Sequence, residues 1–249
     1  MNNAGPTAIL SALAEEQAGL IEQLQNAKRH TFASRDFWHG ELHGQPVVLA
    51  LSKIGKVAAA TTAAVLIERF GVRQIVFMGV AGGLGAGVKV GDVVVGQAFV
   101  QHDMNASPLF RRFEVPLYGA SCFAADTTLT ALLLQAARST LAQPDLQRLY
   151  PDSVVHTGLI ASGDRFVCSA AESAALQTAL TAGGHDALAV EMESAAVAQV
   201  CRDYGIPFAA VRTISDRADD TAHVDFPGFI EQVASQYART IIQHFLKSL

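Results

Sequence analysis

The sequence predicts an α/β fold of three layers, α/β/α, with a largely parallel or mixed sheet held between helices. Three observations carry that reading. Apolar runs of strand length alternate along the chain with longer stretches of helical period. One run, Gln74–Val80 (QIVFMGV), is apolar throughout, as a strand covered on both faces must be. No internal repeat, low-complexity tract or Pro/Ser-rich linker divides the 249 residues, so residues 1–249 read as a single domain.

The elements follow in order. Thr7–Leu13 is a short apolar run, and an Ala/Glu/Leu-rich helix is expected from about Ala14 to Asn26. Phe37–Leu42 and Gln45–Leu51 read as a hairpin turning at Gly44. A helix over Lys56–Phe70 stops at Gly71, since a glycine just past the last turn takes the left-handed cap without a Cβ penalty. Asp92–Gln101 is a strand bounded by Gly91. Further on, Asp126–Ala142 reads as a helix, Val154–Ala161 as a strand and Ser169–Ala182 as a helix. Glu193–Tyr204 is a helix stopped by Gly205 and Pro207, and Phe208–Ile214 (FAAVRTI) is the last strand. One continuous final helix is expected, because Phe226, Phe229, Ile230, Val233, Tyr237, Ile241, Ile242 and Phe245 recur at helical spacing.

Composition excludes several classes of function. Hydrophobic residues make up 50% of the chain and charged residues 16%, well below the usual quarter or so, which suits a large core or a buried subunit surface. A net charge of −5 lacks the basic stripe that a nucleic-acid backbone demands. No apolar run reaches the roughly 18 residues of a membrane span. The opening MNNAGPTAILSALAEE has no basic start and meets Glu15 and Glu16 early, so no signal peptide is expected. Cys122, Cys168 and Cys201 are dispersed and odd in number, which fits a reducing cytoplasm and no zinc site.

In open α/β sheets ligands sit beyond the carboxyl ends of strands, so polar residues there are the candidates for chemistry. The glycine-rich stretch Gly79–Gly87 follows an apolar strand. It reads either as a backbone loop lying close against a ligand or as a turn with packing duties. A dinucleotide site needs a helix next, yet Val88–Val95 leads into another strand. Glu191 and Glu193 stand at an apolar strand-to-helix junction, where a carboxylate can accept two adjacent sugar hydroxyls or simply favour a helix's first turn. Asp216 ends the last strand, where a carboxyl in apolar surroundings can pass a proton to a ring nitrogen; an Arg212–Asp216 ion pair or a turn is the bland alternative. Phe166, in Ser162–Val167, can stack on a flat base or serve as core. Of Glu15 and Glu16, one suits a capping role and the other can point into the same cleft. His39 and His43 lie on the hairpin with no third ligand, and are expected to face solvent rather than a metal.

Taken together, the segments Ala12–Glu16, Ser52–Lys56, Ala81–Leu84, Val90–Val95, Ser162–Val167, Val190–Glu193, Val211–Asp219 and Phe226 resemble, in order and spacing, the methylthioadenosine/S-adenosylhomocysteine nucleosidases of the purine nucleoside phosphorylase superfamily. The resemblance runs over nearly the whole chain. It implies a mixed, barrel-like central sheet flanked by helices, a homodimer, no cofactor, and irreversible hydrolysis of an adenine nucleoside's N-glycosidic bond. By the same resemblance Asp216 protonates adenine N7, and Glu16 activates the water with help from Arg212. Glu193 binds the 2′- and 3′-hydroxyls, with Met192 packed on the ribose. Phe166 stacks on adenine while the Val167 backbone reads its edge. Ile54 and Phe226 wall the 5′-alkylthio pocket, and Val80, Ala81 and Gly82 line the floor. An oxocarbenium-like transition state asks for one acid and a second carboxylate, which agrees with this assignment on physical grounds.

Two departures from the family pattern stand out. Val80 replaces a hydroxyl residue in the glycine-rich segment, and Leu109, in a segment that reaches the partner subunit's pocket, replaces a common aromatic. They leave the 5′-substituent open among methylthioadenosine, S-adenosylhomocysteine, 5′-deoxyadenosine and aminodeoxyfutalosine. The rivals are a phosphorylase of the same fold, disfavoured because the acidic Glu15–Glu16 pair and Val80 suit a phosphate dianion poorly, and a silent nucleoside-binding protein, disfavoured because no acid is missing.

Overall fold

Among the described residues ten strands form a continuous sheet, and five of them close into a barrel. The computed structural model describes residues 5–249, apart from the side chains of residues 223–225, 227, 231 and 232. The reading of the basic-free start therefore falls partly on residues 1–4, outside the described residues. In chain order the strands are β1 (Thr7–Ser11), β2 (Gln25–Phe32), β3 (Arg35–Leu42), β4 (Gln45–Leu51), β5 (Gln74–Gly83), β6 (Val93–Gln101), β7 (Cys122–Ala124), β8 (Val155–Ser162), β9 (Ala187–Glu191) and β10 (Phe208–Asp216). The ring runs β10-β6-β8-β9-β5 and closes where β10 also pairs with β5, while β1, β4, β3 and β2 extend the sheet outward from β5.

The sheet is mixed. β4, β1, β5 and β10 run parallel, as do β6, β8 and β9, and the two sets meet antiparallel at β10–β6 and β5–β9. The second joint spans only Gly82 opposite Val190 and Gly83 opposite Ala189. At that joint β5 and β9 touch at their carboxyl ends, so both sets deliver terminal residues to one place, whereas β10 meets the amino end of β6.

Among the described residues, seven α-helices flank the sheet: α1 (Lys56–Phe70), α2 (Thr127–Leu141), α3 (Pro144–Leu149), α4 (Ala170–Ala182), α5 (Ser194–Tyr204), α6 (Ala222–Phe229) and α7 (Ser235–Leu246). α2 packs on α7 at one face and α1 on α5 at the other. The all-apolar β5 serves both faces through its period of two: Val76, Met78 and Val80 join the α2/α7 core, while Ile75, Phe77 and Ala81 join the α1/α5 core. α1 ends as expected, with Gly71 left-handed at φ 57. The β3–β4 hairpin turns through His43 and Gly44, both at positive φ (51 and 80), the geometry that suits a two-residue connection.

Three expectations are corrected. Residues 14–26 form no α-helix: two short 3-10 turns, Glu15–Gln17 and Ile21–Gln23, lead into β2. Gly19 at φ 82 interrupts helical propagation between them. β2 is an edge strand with almost every residue exposed, so its polar sequence QNAKRHTF carries no inward alternation to read. The final helix is not continuous, because a π-turn at Ile230–Ala234 separates α6 from α7 while keeping their apolar faces aligned on one core. The short β7 and α3 were not anticipated either. Of the two hairpin histidines, His39 is exposed on β3 as expected, whereas His43 lies in the turn, half-buried. Among the described residues, no helix is long and apolar enough to cross a membrane.

Candidate active site

A cleft of about 460 Å³ opens where the carboxyl ends of β1, β5, β9 and β10 converge. Glu16, Ile54, Val80, Ala81, Gly82, Phe166, Met192, Glu193, Arg212, Asp216 and Phe226 all line it. These eleven residues come from segments scattered over two hundred residues, and the barrel together with β1 and β4 beside it brings them to one place.

Glu16 is fully buried and turned inward, while its neighbour Glu15 is exposed. Its Oε2 accepts the N–H groups of Ala12 (2.8 Å) and Leu13 (2.9 Å), and its Oε1 accepts that of Val80 (3.0 Å). Burial raises this carboxyl above its ordinary 4.5, against the pull of Arg212 and of those three N–H groups. A carboxyl whose proton affinity lies above the usual range is a competent base near neutrality.

Arg212 and Asp216 share β10 but not a salt bridge. A bulge between Ile214 and Asp216 shifts the strand's register. Arg212 instead pairs with Glu191, stacks its guanidinium over the Phe77 ring at 4.3 Å, and donates to Ser194 Oγ at 2.9 Å. The Arg212–Asp216 ion pair of the bland alternative does not form. Asp216 Oδ2 receives the Ser215 hydroxyl at 2.8 Å, and its Oδ1 receives the N–H of Ala218 at 2.8 Å.

Glu191 and Glu193 have opposite surroundings. The Glu191 carboxylate is saturated by the Ser162 and Ser194 hydroxyls, the N–H groups of Glu193 and Ser194, and Arg212. Glu193 receives one hydrogen bond among the described residues, from the Gly55 N–H at 3.0 Å, and stands 3.6 Å from Arg212 Nη2. Burial and the Glu191 charge push its carboxyl up to about 8, although Arg212 and Gly55 oppose the shift. Its acceptor capacity is therefore left for something else in the cleft.

The glycine-rich stretch does its work without positive φ, since none of Gly79, Gly82, Gly83, Gly85 or Gly87 adopts one. Close approach is the reason instead. A Cβ on Gly79 would stand 2.6 Å from Glu16 Oε1 and collide with Arg212 Nη1, and one on Gly82 would stand 2.9 Å from Asp216 Oδ1. β5 thus needs bare backbone where three functional side chains cross it.

Phe166 meets Phe226 edge-on, centroids 5.7 Å apart, at the cleft mouth. Val167 lines a narrow recess beside Gly82, Met192 and Asp216 rather than the main cleft. Leu109 does not line its own chain's cleft and is 84% exposed. Glu191 and Ser215 belong to the site although neither was picked out for a role. The signal for Glu191 was the second acid in an apolar run; Ser215 carried none beyond its place before Asp216.

The chain matches the model of the Phosphorylase superfamily over residues 6–247. It is 37% identical over 228 residues to the 5′-methylthioadenosine/S-adenosylhomocysteine nucleosidase of Anoxybacillus flavithermus, covering 91% of this chain and 92% of that one. Its structure is similar to that of the nucleosidase of the same kind from Neisseria meningitidis in complex with methylthio-immucillin-A, with a TM-score of 0.87, 36% identity and coverage of 98% and 100% of the two chains. It is also similar to futalosine hydrolase of Helicobacter pylori, with a TM-score of 0.85, 32% identity and 98% of both chains covered.

Proposed function

The chain belongs to the phosphorylase superfamily and, within it, to the 5′-methylthioadenosine/S-adenosylhomocysteine nucleosidases, and we propose that its cleft carries out their chemistry with the residues named here. The protein is an N-glycosidase that hydrolyses the bond between adenine and the ribose of an adenosine-type nucleoside. One observation carries the assignment of roles. Two buried carboxyl groups from separate strand ends, Glu16 and Asp216, line the same cleft as a third, Glu193, whose hydrogen-bonding capacity is unspent.

Asp216 donates a proton to adenine N7, so the base leaves neutral and the sugar becomes oxocarbenium-like. Glu16 accepts a proton from the attacking water as the new C–O bond forms, and Arg212 holds positive charge beside it. Glu193 receives the 2′- and 3′-hydroxyls, and Met192 packs on the ribose. Phe166 stacks on adenine, with the Val167 backbone at its edge. Ile54 and Phe226 wall an apolar, water-poor pocket for the 5′-substituent.

Water rather than phosphate is the acceptor in this reading, because the three N–H groups of Ala12, Leu13 and Val80 that converge as an anion cradle are already filled by the chain's own Glu16 carboxylate. A phosphate dianion would have to displace a covalently tethered anion. The exposure of Leu109, together with that of Leu117, Val57 and Ile54, supports a homodimer in which Leu109 reaches the partner's cleft, and a cytoplasmic location and a role in methionine salvage are part of the same proposal.

Adenine release from methylthioadenosine, followed chromatographically with and without added phosphate, tests the reading. Release in phosphate-free buffer with free methylthioribose is the expected result. Release that requires phosphate and yields the sugar 1-phosphate would mean a phosphorylase. Binding of the nucleoside without release in either buffer would mean a silent binding protein.

A further inference from the structure

The ribose-facing carboxylate of Glu193 depends on a single N–H, that of Gly55, and the structure shows what holds that N–H in place. Gly55 sits at φ 98 and ψ 159, a conformation side-chain-bearing residues rarely adopt, between β4 and α1. The next residue, Lys56, is fixed twice. Its backbone N–H donates to Asp164 Oδ1 at 2.7 Å, and its ammonium donates to Asp103 Oδ1 at 2.6 Å and to Gln101 Oε1 at 3.1 Å. Asp103 Oδ2 in turn accepts the N–H of Asp164 at 3.0 Å.

These contacts close a ring of three residues from three segments, Lys56 being the first residue of α1. Lys56 follows β4, Asp103 follows β6 and Asp164 follows β8. The same three segments carry Ile54, Leu109 and Phe166, so one electrostatic clasp ties the Ile54 and Phe166 walls of the cleft to the segment of Leu109. The Lys56 ammonium is only 16% exposed and the Asp103 carboxylate 33%, which makes the pair stronger than an ordinary surface bridge. Burial works to raise the Asp103 carboxyl, yet the Lys56 and Asp164 donors hold it below the usual carboxylate range.

We propose that Lys56, Asp103 and Asp164 are positioning residues for ribose recognition: their ring fixes the Gly55 N–H on Glu193 Oε1, and so aims the carboxylate at the 2′- and 3′-hydroxyls. None of the three touches substrate in this account. The inference rests on the reading of Glu193 as the ribose carboxylate.

The test compares Lys56→Met, Lys56→Arg and Asp103→Asn with the parent on methylthioadenosine and its 2′-deoxy analogue, each alone and with Glu193→Gln. Lys56→Met should raise KM for the ribo substrate about ten-fold with a smaller change in kcat, the scale of one misaligned charge-assisted hydrogen bond. The preference for ribo over deoxy should fall by a similar factor, and Lys56→Arg should recover most of it. In the Glu193→Gln background, Lys56→Met should change neither quantity further. Preserved discrimination in Lys56→Met, when Glu193→Gln has lost it, would overturn the clasp. An equal fall in activity on both substrates would do the same, since it signals a merely structural role. Native discrimination in Glu193→Gln itself would instead overturn the ribose reading. Thermal melts of the same preparations identify a variant that does not fold, in which case Asp103→Asn, which keeps the side-chain volume, decides.

Discussion

At the scale of single residues, the cleft concentrates four carboxyl groups, Glu16, Glu191, Glu193 and Asp216, around one guanidinium, that of Arg212. Burial raises the proton affinity of two of them, Glu16 and Glu193, which eases the crowding of negative charge. Asp216→Asn keeps the shape but removes the transferable proton, and should lower kcat by about 10²–10⁴-fold, measured as adenine release under saturating substrate. Glu193, held at about 8 when the cleft is empty, is largely protonated at neutral pH. Two ribose hydroxyls donating to it favour the charged form, so binding an unreactive adenine riboside near pH 7 should release a proton. Calorimetry in buffers of different ionisation enthalpy detects that proton, and Glu193→Gln should abolish it. The same raised carboxyl costs stability as pH rises. Below 4.5 both folded and unfolded states hold the proton, whereas between there and about 8 only the folded state does, so the native state loses ground across that window. Melting temperatures measured from about pH 5 to pH 8 should fall less steeply in Glu193→Gln than in the parent.

At the scale of elements, β5 explains why a strand of QIVFMGV continues as Ala81-Gly82-Gly83. Its first half is bulky because helices cover both faces; its second half is small because side chains from other strands cross it. Gly79→Ala tests the idea directly. The added methyl meets Arg212 and Glu16, both buried and tied, so the strand or the acid must move. A loss of about 1–3 kcal/mol in stability is expected from denaturant titration, together with a larger loss of activity. Residues 14–26 show the opposite relation between sequence and structure. Their composition favours helix, but the strand-end N–H groups of Ala12 and Leu13 and that of Val80 capture Glu16, and Gly19 turns the chain away. A site requirement outweighs local propensity there.

At the scale of the whole molecule, the proposed homodimer draws on the low charged fraction and on the exposed Ile54, Val57, Leu109 and Leu117. Leu109→Glu should shift the mass seen by light scattering toward the monomer and lower kcat/KM together with it, whereas unchanged mass would separate Leu109 from subunit contact. Much of the fold and of the site is legible in the order of residues alone. That order specified most of the regular elements, through periods of 2 and 3.6 and glycine stops that act within a few residues, and it marked Glu16, Glu193, Arg212 and Asp216 as polar groups at apolar strand ends. What it did not carry was contact between distant segments. That Arg212 pairs with Glu191 rather than Asp216, that β10 closes on β5, that an exposed polar stretch becomes β2, and that Lys56, Asp103 and Asp164 form one ring were decided only by tertiary structure. Hydrogen bonds and ion pairs are satisfied by whichever partner the closed sheet brings within about 3 Å, and that proximity has no local signature in the chain.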